Sequence, residues 1–488
     1  MPLGYDSRSM SKRAGLILFV AFAALFLTVN RDAYRGYFQD DEIDNLSWAP
    51  YLGPLDFLQG AATPRFQTNN FRPVGHYYFH AVEELAGLDF PVYVAVLHAF
   101  HLLNVWLLWL LARRLGATAF ATAAACLFFG LHMALFDNFW KPMYVFDVLC
   151  ATFCLLSLWC YASERWVLSF AAFWLAYKSK ELAVMLPVVL LAFEIWFGKR
   201  RWKPLAPFFL TSLSFGVQGI LGNPNRDNDY TFRFTAAALA KTSVFYAGRV
   251  FLIPYLGFVV PAIAFLARGH MSSARRTWFG LAAMGSFLFP VLFLPGRVFS
   301  GYCYLPFAGL AIAITGLAEA GGADPPGPGV PSGDGRPRPA SGTTISASCQ
   351  AQAGRRGRRP QTRGSAPQAA LGLFLALWLP MDIHELRLRR RDTLANDDEV
   401  RAWMSAVGRF AAGKQRVDAF VFSGTPAGFH QWGIEGTLKY FYERNDLTVK
   451  PIGGPDAAAL IATRRVAMLN WDAARKRLDI VMRGPGSY

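Results

Sequence analysis

Apolar runs recur along most of the chain, many of them close to the roughly 20 residues that a helix needs to cross a bilayer. Repetition on that scale restricts the fold to a polytopic α-helical membrane protein. Backbone polar groups in lipid have no water to bond, so each span must satisfy its own. The runs fall near 14–29, 91–112, 117–136, 143–162, 166–178, 182–198, 204–222, 245–267, 277–295, 302–318 and 369–380, which predicts about 10–11 transmembrane helices. Charged residues make up only 17% of the chain. Soluble domains carry about 25%, so a soluble protein is excluded. Hydrophobic residues at 53% exclude disorder as the main state.

The net charge of +16 has two candidate causes, nucleic-acid binding or the positive-inside rule. Position decides between them. Arg8, Lys12 and Arg13 precede the first run, and Arg113 and Arg114 follow the second. Lys199, Arg200, Arg201 and Lys203 separate two runs, and Arg268, Arg275 and Arg276 separate another pair. Alternating sides from a cytoplasmic N-terminus puts all of these in the cytoplasm and the acidic stretch near residue 40 outside. The partner implied is a lipid bilayer, not nucleic acid. No small-x-small cleavage site precedes Asn30, so the first run is read as a retained helix.

Residues 30–90 are polar, aromatic and rich in turn formers, and read as one long outer loop. Residues 319–368 are rich in Gly, Pro and Arg without an aromatic residue, the composition of a disordered cytoplasmic linker. A last span at 369–380 then returns outward to a small α/β domain over 382–488, read as periplasmic. Within it, periodicity predicts helices at 396–411 and 434–445 and strands at Ala419–Phe422, Val466–Leu469 and Leu478–Met482.

Charges against this apolar background are costly and point to function. The first loop carries Asp40, Asp41, Glu42 and Asp44 just beyond the first helix. A carboxylate there can take a proton from an attacking hydroxyl. A divalent metal on Asp40 and Glu42 is the one cofactor these acids leave open. Arg72, before Pro73, offers a guanidinium fork to a phosphate. Asp137, Trp140 and Lys141 combine an acid, an aromatic face and a cation in a later outer loop, suited to sugar or acceptor contacts. Asp147 enters the next span. Lys178, Lys180 and Glu181 emerge outward again, as does Arg297 beside aromatic residues. His98, His101 and Asn104 share one face of a span and read as interhelical hydrogen bonding. The six cysteines match no zinc or disulfide spacing, and no Walker or GxGxxG loop sits between a strand and a helix. A sugar donor would therefore have to arrive through the membrane.

Seven short motifs in order carry a resemblance. They are Asp40-Asp41 with Ile43 and Asn45, Phe71-Arg72-Pro73, His98 through Asn104, Leu131-His132, Asp147, the Lys180–Pro187 run and Tyr302–Pro306. The layout resembles the GT-C superfamily of polytopic glycosyltransferases, which use polyprenyl-phosphate-linked sugars. Within it the chain looks most like the transmembrane part of the tetratricopeptide-repeat O-mannosyltransferases and their bacterial relatives. The resemblance implies a catalytic Asp in the first outer loop, here Asp41 or Asp40. It implies donor-phosphate cations in later outer loops, here Arg72, Lys180 and Arg297. Glu181, with Asp137, Trp140 and Lys141, is then expected to contact sugar or acceptor. The chain departs from the family pattern in lacking 34-residue repeats, in Met133 after His132, and in the 319–368 insert. The expected activity is inverting transfer of a sugar from a polyprenyl phosphate to an acceptor hydroxyl, at the periplasmic face of a bacterial inner membrane. The acceptor is a protein, lipid or glycan. The alternatives are a flippase for lipid-linked sugars or a non-catalytic envelope-assembly subunit. Replacing Lys180 or Arg297 by Ala is expected to weaken donor use without disturbing the fold.

Overall fold

The computed structural model describes residues 12–64, 71–222, 229–251, 275–318 and 365–485. Its helices are α1 (Lys12–Val29), α2 (Asp40–Leu46), α3 (Pro54–Ala62), α4 (Pro73–Ala86), α5 (Phe90–Arg114), α6 (Ala119–Leu131), α7 (Phe136–Trp140), α8 (Val145–Ala162) and α9 (Trp166–Ser179). They continue with α10 (Leu186–Trp196), α11 (Ala206–Gly222), α12 (Ala236–Phe251), α13 (Arg275–Leu288), α14 (Tyr304–Ala318), α15 (Ser365–Ala412), α16 (Gln431–Tyr442) and α17 (Ala457–Thr463). Four strands follow the bundle, β1 (Ala419–Ser423), β2 (Thr448–Pro451), β3 (Val466–Asp472) and β4 (Arg477–Arg483).

Six helical stretches among the described residues are long and apolar enough to cross a membrane: Phe90–Arg114, Ala119–Trp140, Pro142–Ala162, Lys203–Leu221, Arg275–Phe293 and Ser300–Leu317. Gly15–Val29 is a shorter apolar helix. The runs at 166–178 and 182–198 yield helices of 14 and 11 residues, α9 and α10. Short 3₁₀ turns, such as Glu181–Met185 ahead of α10, interrupt the apolar runs. Much of the span read at 245–267 lies outside the described residues, as do Asn69, Asn70, Cys349 and most of the linker, 319–364. Leucine, isoleucine and valine side chains at Leu16, Ile17, Val167, Leu168, Leu210, Leu213 and Val244 stand exposed around the bundle. Lipid tails are the environment that suits such a surface. Inside, α13 and α14 pack backbone to backbone. A Cβ on Gly280 would lie 2.3 Å from the Ala313 nitrogen, and one on Gly309 2.6 Å from the Met284 nitrogen, so only glycine permits this approach.

The two ends of the bundle differ in chemistry. At one end Arg114 donates to the Ala162 carbonyl at 3.0 and 2.7 Å, while Lys199 and Arg201 each lie 3.1 Å from Glu164. The other end carries the 30–90 segment. The described part of that segment is largely helical, with α2, α3 and α4. Its helix starts explain the difference from the expected loop. Gln39 and Glu42 form a capping box for α2, and Pro54 and Pro73 open α3 and α4 at first-turn positions, where a missing N–H costs nothing.

A single 48-residue helix, α15, runs through both the expected last span at 369–380 and the helix expected at 396–411. The boundary expected near 381 falls inside it, and residues 365–368, read as linker, are its first turn. Pro380 is accommodated within the helix. The sheet beyond has the order β2-β1-β3-β4. β1 pairs parallel with β2 and β3, and β3 pairs antiparallel with β4, Val466 opposite Arg483. Side chains alternate across it. Phe420 and Phe422 join the main core with Trp403, Met404, Ile434 and Leu438, whereas Ala419, Val421, Val466 and Met468 pack with Ala457 of α17. The protein is thus a polytopic helical membrane protein with a small C-terminal α/β domain. That domain sits at the loop end. Arg390 pairs with Asp32 at 2.8 Å, Arg401 donates to the carbonyls of Arg35 and Gly36, and Tyr440 donates to Glu83 at 3.0 Å.

Candidate active site

Helix α2 presents its acids in different directions. Asp40 is buried, and both its oxygens are taken by the C-terminal domain. His430 donates its backbone N–H to Oδ1 at 2.8 Å and its Nδ1 to Oδ2 at 2.5 Å. Burial raises the Asp40 carboxyl above its ordinary value despite those two bonds. Glu42 is also buried. Its Oε2 accepts the Gln39 N–H at 3.0 Å and its Oε1 the Met143 N–H at 3.2 Å. Asp41 differs from both: its carboxylate is half-buried, with no hydrogen bond or ion pair to any described residue. Among the described residues no group of three His, Cys, Asp or Glu is placed to hold a metal ion, and the oxygens of Asp40 and Glu42 are already engaged.

The cations gather at the same end. Arg72 forms a two-pronged pair with Glu181, Nε to Oε1 at 2.9 Å and Nη2 to Oε2 at 3.2 Å, and lies over the Phe146 ring. Lys180 Nζ lies 2.5 Å from Asp147 Oδ2 and 4.7 Å from the centre of the Tyr302 ring. The second oxygen of Asp147 is buried without a hydrogen-bond partner. Arg297 stacks on Tyr230 at 4.1 Å and on Phe299 at 4.9 Å. No carboxylate among the described residues pairs with it, and its Nε is buried without an acceptor. Asp41, Arg72, Arg297 and Tyr302 all lie within electrostatic reach of the Tyr230 hydroxyl. Five regions distant in sequence thus converge: α2, the start of α4, the α9–α10 turn, the residues before α12 and the α13–α14 connection. Two of the three cations pair with an adjacent acid, which leaves Arg297 as the cation, and Asp41 as the acid, without an ion-pair partner among the described residues.

The remaining expected site residues are engaged by near neighbours, and Asp137 acts electrostatically on Tyr144 together with Asp147 and Tyr302. Asp137 and Lys141 pair with each other across one helical turn at 3.3 Å. Trp140 is 2% exposed, stacks on Phe136 and donates its indole N–H to Asn30 at 3.0 Å. It anchors the first helix and offers no open face to a sugar, because its ring is consumed by packing. Because Lys180 is the partner of the buried Asp147, the expectation that Lys180→Ala spares the fold is replaced by a large loss of stability.

The histidine face behaves as interhelical bonding. His98 Nε2 contacts the Phe139 carbonyl at 2.8 Å and is therefore the protonated nitrogen, so Nδ1 accepts from the Tyr34 hydroxyl at 3.1 Å. His101 likewise bonds the Gly130 carbonyl and accepts from Tyr304, which in turn accepts from Asn104.

Sequence reading missed Asp397 on α15. Its carboxylate accepts the Tyr37 N–H at 2.9 Å and the Gln39 side-chain amide, and so fixes the chain entering α2. Its signal in the sequence is an ordinary acid on a polar helix. His430 was also missed; it sits at the start of α16, 390 residues from its partner. Burial pushes the Asp397 carboxyl up to about 6 and the Glu42 carboxyl up to about 7. Both values lie above those of the unfolded chain. The stability these groups contribute is therefore complete below about pH 4 and is lost as pH rises through about 7. Glu42→Gln is expected to remove a share on the order of 3 kcal/mol from that fall. Unfolding midpoints of the purified protein between pH 5 and 8 check it: the variant should show the flatter profile.

No protein-family model matches the chain, and no curated protein matches its sequence. Among solved structures the chain is similar to ArnT from Cupriavidus metallidurans in the apo state, at 14% identity and a TM-score of 0.47, over 94% of this chain and 93% of that one. It is similar to the same protein bound to undecaprenyl phosphate, with a TM-score of 0.48 at 14% identity and the same coverage. It is also similar to the arabinofuranosyltransferase AftD from Mycobacteria, at 14% identity and a TM-score of 0.46, over 87% of this chain and 31% of that one.

Proposed function

We propose that the chain is a membrane glycosyltransferase that moves a sugar from a polyprenyl-phosphate donor to an acceptor hydroxyl by inverting single displacement. One observation carries the reading. Asp41 and Arg297, neither of them in an ion pair with any described residue, both act on the Tyr230 hydroxyl at one end of a membrane-spanning bundle. A free carboxylate can act as a base; one already bonded, like Asp40, is less able to. In this reading Asp41 takes the proton of the acceptor hydroxyl as its oxygen attacks the anomeric carbon. The bond to the phosphate oxygen breaks, and the electron pair leaves with the polyprenyl phosphate. Arg297, with the paired Arg72 and Lys180 beside it, offsets the charge that develops there. A polyprenyl tail would lie along the exposed apolar flank of the bundle. The site would face the periplasm of a bacterial cell, with the C-terminal domain on the same side.

Incubating purified protein with labelled polyprenyl-phosphate sugars and envelope extract tests the reading. Covalent transfer of label supports it; movement of the donor across vesicle bilayers without transfer would make the protein a flippase instead. Arg297→Ala is expected to weaken donor binding about 10–100-fold, the loss of one charge-assisted contact, with Arg297→Lys recovering part. Titration with a short-chain polyprenyl phosphate checks this. For orientation, a cysteine at exposed Lys414 should react with an impermeant reagent in spheroplasts, and one at exposed Lys199 only after permeabilisation. The reverse pattern would put the site in the cytoplasm.

A further inference from the structure

The contact between the C-terminal domain and α2 is closer than ordinary domain docking requires. His430 precedes α16 and bonds both oxygens of Asp40. Its ring stacks on Trp432 at 4.5 Å with the planes 5° apart, which fixes the rotamer. A Cβ on Gly433 would lie 2.3 Å from Asp40 Oδ1 and would displace that carboxylate, and one turn further on a Cβ on Gly436 would lie 3.1 Å from the Asp44 backbone, so α16 sits close against α2. Lys439, further along α16, acts electrostatically on Asp44 of α2. The grip therefore reaches both ends of a seven-residue helix. A helix that short has little stability of its own in water and keeps its place through what it packs against.

We infer that His430 is a positioning residue, which latches α2 through Asp40 so that the adjacent Asp41 is held towards the cation cluster. The inference rests on the transferase reading of Asp41. It assigns the two neighbouring aspartates different work: Asp40 is the handle by which the C-terminal domain holds the helix, and Asp41 is the group held. It also gives the α/β domain a part in the reaction without any residue of its own touching the substrate.

The test uses the full chain in detergent and reads two quantities. Amide exchange by mass spectrometry follows peptides covering α2, with β3 as the internal control for folding of the domain. Steady-state transfer gives kcat and the KM for the lipid donor. His430→Ala should speed exchange of α2 about 10–100-fold with β3 unchanged. It should lower kcat by a similar factor, since displacement of a reacting group by about 1 Å costs on the order of 100-fold, and leave the donor KM unchanged. His430→Asn, whose amide can donate from nearly the same point as Nδ1, should recover most of both. Gly436→Ala, whose Cβ would lie 3.1 Å from the Asp44 backbone and so presses on α2 away from the histidine, should reproduce the defect if His430→Ala proves too unstable to measure. Unchanged α2 exchange in both variants overturns the latch. Faster exchange with full kcat overturns the positioning role. If wild-type protein transfers no sugar, the transferase reading fails and the positioning role with it, whereas the exchange measurement still reports separately whether His430 holds α2.

Discussion

Asp41→Asn is expected to slow sugar transfer about 10²–10⁴-fold, the usual contribution of a positioned general base, while the lipid donor still binds. The variant keeps the size of the side chain and removes only its basicity. The Asp41 side chain has no hydrogen bond or ion pair to any described residue, so the unfolding midpoint should match wild type. Asp40→Asn should behave differently. Its effect should appear as a loosened α2 as well as a lower rate, because Asp40 is the residue bonded to His430. Rates and thermal midpoints measured on both variants separate the two aspartates. Full activity in Asp41→Asn, with transfer established in wild type, would move the base elsewhere.

The second large effect is on stability. Lys180→Ala leaves Asp147, 4% exposed in its side chain, without the ammonium 2.5 Å away that balances it. Removing one member of a buried ion pair costs about 3–5 kcal/mol, far more than the pair contributes as a whole, because the orphaned charge stays desolvated. The expected result is low yield and a strongly lowered midpoint for Lys180→Ala. The double variant Lys180→Met with Asp147→Leu should regain most of that stability, since an apolar pair of similar volume has no charge to desolvate. If the single and double variants are equally stable, the pair does not matter to the fold. If the double variant is the more stable, a loss of transfer in it reports on chemistry alone.

What the sequence made legible follows the range of the interaction involved. The apolar runs and their basic punctuation are local, and they identified a helical membrane protein with a small α/β domain at its C-terminus. Strands β1, β3 and β4 showed as short apolar runs, but β2 did not, because Thr448–Pro451 carries a lysine and a proline on an edge. The acidic stretch was found, though read as loop, because four acids within five positions is unusual beside a span. Which acid is free was not legible, because the answer is set by His430, and no periodicity links positions 390 residues apart. Lys180 and Asp147, 33 positions apart, had a usable signal: two opposite charges at the ends of neighbouring apolar runs have strong reason to pair. The bond from Trp140 to Asn30 was not legible, because an aromatic residue at a membrane boundary carries no sign of its partner 110 positions away.

Helix α15 carries a further consequence. At 48 residues it is about 72 Å long. Over its second half its side chains engage Asp32, the carbonyls of Arg35 and Gly36, and the Tyr37 N–H, before the chain turns into the sheet that places His430. A rod with contacts at several heights works like a key with several teeth. One inserted residue near Leu386 would rotate everything beyond it by about 100° and advance it about 1.5 Å, so that every tooth would miss its ward at once. Seven inserted residues would restore the facing but carry the teeth about 10 Å too far. Lineages of this protein should therefore vary in α15 by substitution and keep its length fixed.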